Sequence, residues 1–289
     1  MPTARIRIDR RAVELGLVRS REEIHELIDS GHVLVNGAVV EKASRLVGRG
    51  DAIVVTQRRR FVGRGGLKLE GVLSDLSLSI QGRHCLDLGS STGGFIECLV
   101  SQGAASVVGV DVGRGQIHET VLALSGVTVF EGTDLRVFAQ QWDDSYNFDL
   151  ITGDLSFISL CHVAQEIGRL ARSSDVNVLL LVKPQFEVGH REVSRGMGVV
   201  SDPDLWRQAL SSVISAYRAV GLAPCAVRPS RLRGAQGNQE FFVLFRRRSG
   251  GGYQCSESVE PLVEQALCDV LSASGGDQEA SALSPGDLV

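Results

Sequence analysis

The hydrophobic pattern divides the chain into a short N-terminal segment of mixed elements and a longer segment of alternating strands and helices. In the first segment, Ser20 precedes apolar positions at helical spacing, which predicts a capped helix over 22–30. Asn36-Gly37 stands between β-branched runs and is a strong hairpin signal, and a further strand is predicted over 51–55. These elements predict a compact α+β unit over residues 5–55.

The longer segment contains short apolar runs separated by helical patterns. The predicted strands cover 84–88, 106–110, 147–153, 177–182 and 241–245. Their runs are apolar on both faces, which favours a mostly parallel sheet covered by helices on both sides. Asp202-Pro203 begins a long amphipathic helix that Gly221 ends. The pattern therefore predicts an α/β fold for this part of the chain.

Polar and glycine residues mark the ends of these strands. A glycine turn, 89–94, follows the first strand, and Asp111 comes about 20 residues later, at the end of the next strand. The turn has Ser91 where a dinucleotide fingerprint would have glycine, so it suits S-adenosylmethionine better, since that cofactor has no phosphate. Asp154 and Lys183 also end strands, and ligands of such sheets bind at the carboxyl edge.

Composition adds an uneven distribution of charge. The net charge is -4, yet residues 1–68 carry 14 Lys and Arg against 8 Asp and Glu, and the remainder carries 16 against 26. A basic N-terminal part favours an anionic partner, nucleic acid first, although a solvated basic face has the same composition. The chain has 27 arginines and only three lysines, Lys42, Lys68 and Lys183. Unlike arginine, a lysine can give up its proton and act as a base, so these lysines are candidates for catalysis.

Several function classes receive no support from the sequence. The six cysteines form no CxxC pair and the six histidines show no metal-binding spacing, so we predict no metal site and reduced cysteines. No run of 18 apolar residues and no signal-peptide pattern occur. We therefore expect a cytoplasmic protein without stable membrane insertion, and we expect a monomer.

The N-terminal unit resembles the S4 RNA-binding domain. The resemblance rests on Arg10, Gly16-Leu17, Ser20-Arg21, Gly31 and Val35-Asn36-Gly37. It implies that basic side chains of this unit contact RNA phosphates, which strengthens binding without reading sequence. The implied RNA-binding residues are Arg7, Arg10, Arg11, Arg19, Arg21, Lys42 and Arg45.

The motifs of the whole chain, taken in order, resemble the TlyA family of S4-domain proteins with an FtsJ-like methyltransferase core, which are also labelled hemolysins. The matching motifs are Gly65-Gly66-Leu67-Lys68, the turn 86–95, the segments 111–116, 154–160 and 182–189, and Gly237-Asn238-Gln239-Glu240. The resemblance implies a Rossmann-like class I methyltransferase domain with a seven-stranded sheet. It further implies S-adenosylmethionine-dependent 2′-O-ribose methylation of ribosomal RNA within ribosomal subunits, at cytidines of 16S and 23S RNA.

The same resemblance implies the site residues. A Lys-Asp-Lys-Glu catalytic tetrad carries over to Lys68, Asp154, Lys183 and Glu240. The implied cofactor-binding residues are Gly89, Ser91, Gly93, Gly94, Phe95, Asp111, Asp134 and Asp154. A ribose hydroxyl is a poor nucleophile until its proton is shared or removed, and Lys183 is the candidate for that role. Asp134 departs from the family, which commonly has asparagine there.

The predicted organisation is an S4-like domain over 1–57, a basic linker over 58–63, a methyltransferase domain over 64–271 and a disordered tail over 272–289. The sequence leaves two other functions open. A membrane-active hemolysin or cytolysin is disfavoured by the absence of an apolar span or a cationic amphipathic helix. A non-catalytic ribosome-binding factor is disfavoured by the intact tetrad.

Overall fold

The computed structural model describes residues 5–29, 32–56, 60–143, 146–234, 236–247 and 258–280. The chain divides into two compact units, Met1–Val62 and Gly63–Val289. The predicted linker, 58–63, spans this division, and residues 57–59 lie outside the described part. No helix among the described residues is long and apolar enough to cross a bilayer.

The N-terminal unit packs two helices against short antiparallel strands. Its elements are β1 (Ile6–Arg7), α1 (Ile8–Glu14), α2 (Arg21–Asp29), β2 (Val33–Val35), β3 (Ala38–Val39), β4 (Leu46–Val47) and β5 (Ile53–Val55). β1 pairs with β4, and β2 lies between β3 and β5. The core is aliphatic, with Ile8, Ile24 and Val33 fully buried.

Both local signals in this unit are confirmed. The Glu23 amide donates to Ser20 Oγ at 3.2 Å, so Ser20 caps α2. Val35 pairs with Ala38 across the two-residue turn Asn36-Gly37. Both turn residues have positive φ, 52° and 81°, which is the conformation that asparagine and glycine tolerate best.

The second unit is a seven-stranded sheet with helices between its strands. Its first half contains α3 (Arg64–Asp75), β6 (His84–Leu88), α4 (Gly94–Ser101), β7 (Ser106–Asp111), α5 (Glu119–Leu122), β8 (Val127–Glu131) and α6 (Leu135–Gln141). Its second half contains β9 (Leu150–Gly153), a 3-10 turn (Leu160–Val163), α7 (Ala164–Leu170), β10 (Asn177–Val182), α8 (Pro184–Glu187), α9 (His190–Arg195), α10 (Pro203–Ala219), β11 (Leu222–Pro229), β12 (Phe241–Arg247) and α11 (Glu260–Ala280).

The strand order is β11-β12-β10-β9-β6-β7-β8. The five strands from β10 to β8 are parallel, and β12 runs antiparallel to both of its neighbours. All six residues of β10 are buried, as cover on both faces of the sheet requires. The predicted mostly parallel α/β sheet is confirmed.

The sheet order locates the ligand crevice. From β6 the chain first builds outward through β7 and β8, and then returns to place β9 on the other side of β6. Such a reversal opens a crevice at the carboxyl ends of the two central strands, here β6 and β9. Gly89 follows β6 and Asp154 follows β9, so both lie at this crevice.

Two parts of the second unit differ from the sequence pattern. The edge strand β11 is absent from the predicted set because Pro224 and Pro229 interrupt its pattern; an edge strand tolerates proline since one side needs no pairing. α11 continues to Ala280, beyond the predicted end of the methyltransferase domain at residue 271. The buried residues Val263, Leu267 and Val270 anchor this helix, and an anchored helix extends at low cost per residue. Residues 281–289 lie outside the described residues.

Candidate active site

The glycine turn after β6 has a strained backbone that only small residues accommodate. Gly89, Ser91 and Gly93 all have positive φ, at 79°, 47° and 96°. A Cβ on Gly89 would lie 2.9 Å from the carbonyl oxygen of Asp154, so the turn must lack a side chain there to approach the end of β9. Ser91 keeps its conformation with help from Asp111, whose Oδ2 accepts the Ser91 amide at 2.7 Å.

A cavity of about 490 Å³ lies at the crevice between the strand ends. Five of the predicted cofactor-binding residues line it, namely Gly89, Ser91, Asp111, Asp134 and Asp154. The remainder of the wall is largely apolar and includes residues outside the predicted cofactor-binding set. These are Val112, Gln116, Leu135, Arg136, Ile158 and Val163. The volume is within the range of small-molecule sites.

Two acidic residues of the cavity wall, Asp111 and Asp134, accept different hydrogen bonds. Asp111 accepts two backbone amides, from Ser91 at 2.7 Å and from Gly113 at 2.7 Å, and thereby fixes the turn to the end of β7. Asp134 caps α6 and accepts both the amide and the guanidinium of Arg136. The Arg136 side chain lowers the pKa of Asp134 to about 2, so this carboxylate stays charged.

The three other predicted cofactor residues are absent from the cavity lining and serve packing. A Cβ on Gly93 would meet Val121 at 2.8 Å. A Cβ on Gly94 would lie 3.0 Å from the Gly66 amide nitrogen, so Gly94 lets the start of α4 approach the start of α3. The ring of Phe95 is buried and stacks on Phe242 at 6.3 Å between centroids. These residues support the cavity through packing and do not line it.

The four tetrad residues form two ion pairs with little exposure. Lys68 Nζ lies 2.5 Å from Glu240 Oε2, with side-chain exposures of 9% and 3%. Lys183 Nζ lies 2.7 Å from Asp154 Oδ1, with exposures of 10% and 22%. Pairing of this kind offsets the large cost of burying each charge.

The second pair is the one that borders the cavity. Lys183 also donates a hydrogen bond of 2.6 Å to Ser156 Oγ, and both Asp154 and Ser156 line the cavity. The Lys183–Asp154 contact lacks hydrogen-bond geometry, so Asp154 Oδ1 is buried with no hydrogen-bond donor among the described residues. Lys183 is therefore joined to the cavity wall through two lining residues, whereas Lys68 and Glu240 pair with each other.

Strand register explains why residues so distant in sequence meet. Val182 of β10 faces Phe241 of β12 in an antiparallel pair. Lys183 follows Val182 and Glu240 precedes Phe241, so both leave the sheet at the same edge. Asp154 comes to this edge at the end of β9, which is parallel to β10.

Helix α3 supplies the fourth member. Gly65 and Lys68 are three residues apart and therefore share one face of α3. Lys68 reaches Glu240, while a Cβ on Gly65 would lie 3.7 Å from Asp154 Oδ2 and 3.2 Å from the Phe95 ring. The small residues at the start of α3 thus let its backbone approach the second ion pair.

The mouth of the cavity carries an exposed aromatic side chain. Phe157 is 92% exposed and has a positive φ of 65°, a conformation that is uncommon for a residue with a side chain. Its ring lies 5.5 Å from that of Phe186, and Lys183 Nζ lies 5.9 Å from the Phe186 ring. An exposed ring held in a strained backbone beside buried polar groups is typical of a binding site.

The predicted RNA-binding residues all lie in the N-terminal unit. Six are exposed, and Arg11 is half-buried. Arg10 and Arg11 pair with Glu14, and Arg7 and Arg21 bond Asp9. Among the described residues, no group of three or more His, Cys, Asp or Glu side chains is placed to hold a metal ion.

Comparison with known proteins matches both units to domain families. The S4 domain family matches residues 6–53, and the FtsJ-like methyltransferase family matches residues 61–247. The chain is 37% identical over 267 residues to the 16S/23S rRNA (cytidine-2′-O)-methyltransferase TlyA of Mycobacterium tuberculosis, covering 92% of the chain and 98% of that protein. It is 31% identical over 240 residues to Hemolysin A of Brachyspira hyodysenteriae, covering 83% of the chain and 99% of that protein.

A solved structure extends the likeness to three dimensions. A hemolysin-named protein from Streptococcus thermophilus superimposes with a TM-score of 0.69 at 26% identity, covering 94% of the chain and 99% of that protein. The family match therefore spans both units, and it confirms the resemblance drawn from the sequence motifs. The chain belongs to the TlyA family, in which an S4 domain is joined to an FtsJ-like methyltransferase domain.

Proposed function

We propose that the protein is an S-adenosylmethionine-dependent methyltransferase that modifies the ribose 2′-hydroxyl of a cytidine in ribosomal RNA. The observation that carries this proposal is the Lys183–Asp154 ion pair, because it is largely buried and because Asp154 lines the cavity. A relative that carries this activity in its name is similar over 92% of the chain.

The cavity suits S-adenosylmethionine in both shape and donor set. Gly89 and Ser91 present backbone to the position of the amino-acid part, and Asp111 stands at the end of β7, where a ribose would lie. Leu135 and Ile158 supply apolar surface for an adenine ring. The Asp154 carboxylate lines the cavity and gives its wall a negative charge that suits a cationic ligand. When bound, the cofactor supplies an electrophilic methyl group on a sulfonium.

Lys183 is the group proposed to handle the proton. A ribose hydroxyl at the cavity mouth would lie beside Nζ, which the Asp154 carboxylate and Ser156 hydroxyl hold in place at 2.7 and 2.6 Å. For this role Lys183 must first release its own proton to solvent. Its neutral Nζ would then accept the hydroxyl proton as the 2′-oxygen takes up the methyl group, and the cofactor would leave as a neutral thioether. Asp154 then stabilises the ammonium that results.

Lys68 and Glu240 are assigned a supporting role. Their ion pair is the more deeply buried one, and the two residues pair with each other rather than with Asp154 or Ser156 of the cavity wall. The pair fixes α3 against the start of β12, and α3 in turn positions Gly65 near Asp154. In this proposal Lys183 acts on the hydroxyl, and Lys68 keeps the surrounding elements in register.

Phe157 is proposed to receive the target base. Single-stranded nucleotides are commonly bound by stacking on exposed aromatic rings, which contributes about 1–3 kcal/mol per base. Phe157 is exposed, lies at the cavity and packs beside Phe186, close to Lys183. A base held there would place its own ribose near the proposed proton acceptor.

The test is methyl transfer from tritiated cofactor to purified ribosomal subunits that lack the modification. The expected product is one or a few 2′-O-methylated cytidines, detected as positions resistant to alkaline hydrolysis. An Asp154→Asn variant is the matched control, since it keeps the side-chain shape and removes the charge that holds Lys183. Label on a base, or no label on either subunit, would contradict the proposal.

A further inference from the structure

Asp9 is an anomaly in the N-terminal unit, because it is a fully buried carboxylate among arginines that are expected to bind RNA. Its exposure is 0%, although the residues that bond it are about half exposed. A negative charge on a phosphate-binding face weakens attraction to RNA. The position therefore needs a reason that net charge does not supply.

The contacts of Asp9 join three elements of the unit. Arg7, at the end of β1, donates from Nε and Nη2, the latter to Oδ2 at 2.9 Å. Arg21, the first residue of α2, donates from Nη2 to the same oxygen at 2.7 Å. His25 Nε2, one turn further along α2, lies 3.3 Å from Oδ2, and the Arg10 amide donates to Oδ1 at 2.8 Å.

These bonds hold the carboxylate in its charged form. The Arg7 guanidinium, followed by Arg21, His25 and the Arg10 amide, keeps the pKa of Asp9 well below its usual range despite burial. The cluster therefore stays intact at any pH at which the protein would meet RNA.

The outward groups of the cluster match a phosphate. A guanidinium has five N–H donors in a rigid fork; Asp9 engages Nε and Nη2 of Arg7 and only Nη2 of Arg21. Arg7 and Arg21 side chains are 48% and 58% exposed, so donors beyond those bound to Asp9 face solvent. Two guanidiniums anchored on one buried oxygen are close enough together to bind a single phosphodiester or two adjacent ones.

We propose that Asp9 is a positioning residue that orients Arg7, Arg21 and His25 into one phosphate-binding site for RNA. The site would take the phosphodiester backbone and read no base. This inference rests on the proposed RNA substrate, and it adds that an acidic residue is required for the affinity of a basic surface.

Two explanations of Asp9 predict opposite signs for the Asp9→Asn variant. If only net charge matters, removal of a negative charge strengthens RNA binding. If Asp9 positions the arginines, the variant binds more weakly, because their side chains regain rotamer freedom that binding must then remove. Asp51→Asn is the charge-matched control, since Asp51 lies in the same unit and bonds only Gly48 and Asn36 among the described contacts.

The experiment measures binding of the full-length variants to purified ribosomal subunits over a range of KCl concentrations. We expect Asp9→Asn to weaken binding about tenfold at low salt and to reduce the salt slope by about one to two, as for the loss of two phosphate contacts. Asp51→Asn should bind at least as tightly as wild type. Equal or tighter binding by Asp9→Asn would overturn the proposal.

A double-mutant cycle separates positioning from loss of folding. In an Arg7→Ala/Arg21→Ala background, Asp9→Asn should cause no further loss, because no guanidiniums remain to be positioned. A full further loss in that background, accompanied by a lower thermal midpoint, would assign Asp9 a structural role and overturn the proposal. Methyl transfer by the wild-type protein to the same ribosomal subunits tests the RNA substrate separately. Failure of the positioning role of Asp9 can therefore be distinguished from failure of the proposed RNA substrate.

Discussion

Replacement of Lys183 by arginine is the sharpest test of the proposed chemistry. Lys183→Arg keeps a positive charge between Asp154 and Ser156, which lie 2.7 and 2.6 Å from Nζ, so the ion pair that supports the wall should persist. A guanidinium does not lose its proton in a protein and so cannot accept one from the ribose hydroxyl. The variant separates charge from base function at one position.

The expected size of the effect follows from the role assigned to the group. A positioned general base contributes about 10²–10⁴-fold, or about 3–6 kcal/mol of barrier, at about 1.4 kcal/mol per factor of ten. Cofactor affinity should change by no more than about 1 kcal/mol, since Asp154 keeps a cationic partner. Lys183→Met, by contrast, leaves Asp154 without its partner and should also lower stability, by up to about 3 kcal/mol because Asp154 is 22% exposed.

The assay is single-turnover methyl transfer to ribosomal subunits, combined with calorimetric titration of S-adenosylmethionine. Lys42→Arg is the control, because Lys42 is exposed and is assigned only phosphate contact, where arginine serves equally. A Lys183→Arg rate within about tenfold of wild type would refute the assignment of Lys183 as the base. Loss of rate together with loss of cofactor binding would instead indicate a collapsed site.

Three further changes test the framework of the site. Gly89→Ala should weaken cofactor binding at least about tenfold, since its Cβ would lie 2.9 Å from the Asp154 carbonyl oxygen. Gly115→Ala is the control in the same calorimetric titration, because Gly115 also has a positive φ but its Cβ would meet no atom within 4 Å. Glu187→Gln should raise the KM for RNA more than it changes cofactor affinity. Glu187 accepts hydrogen bonds from the Ser159 hydroxyl at 2.6 Å and the Leu160 amide at 2.8 Å, and so it holds the loop that carries Phe157. An unchanged KM for RNA would contradict this role. Burial raises the pKa of Asp87 to about 7, so this carboxyl keeps its proton in the folded protein where the unfolded chain loses it near pH 4. The free energy of unfolding should therefore fall by up to about 4 kcal/mol as the pH rises from 4 to 7. Asp87→Asn should flatten that fall in pH-dependent denaturant unfolding, and an unchanged slope would contradict the assignment.

The sequence determined the elements whose signals are local. Asn36-Gly37 predicts its hairpin because both residues tolerate positive φ. The run 177–182, apolar after Asn177, predicts β10 with its observed bounds because a strand buried on both faces favours apolar side chains. Strand ends in a parallel sheet share one edge, so the convergence of Gly89, Asp111 and Asp154 at one cavity could also be anticipated.

Tertiary structure alone decided which partners those residues acquire. The separation of the tetrad into a Lys68–Glu240 pair and a Lys183–Asp154 pair depends on the register of β10 with β12 and on the approach of α3. Likewise, Gly93 and Gly94 share a motif with Gly89 yet serve helix packing, which only the positions of Val121 and Gly66 reveal.

Asp9 shows the limit most clearly. In the sequence it is one acidic residue in a basic segment, with nothing to distinguish it from a solvated side chain. In the fold it is fully buried beneath Arg7 and Arg21. Local propensity and hydrophobic period act over a few residues and are written in the sequence. The burial and partners of a charge depend on contacts between distant segments, and only the packed structure determines them.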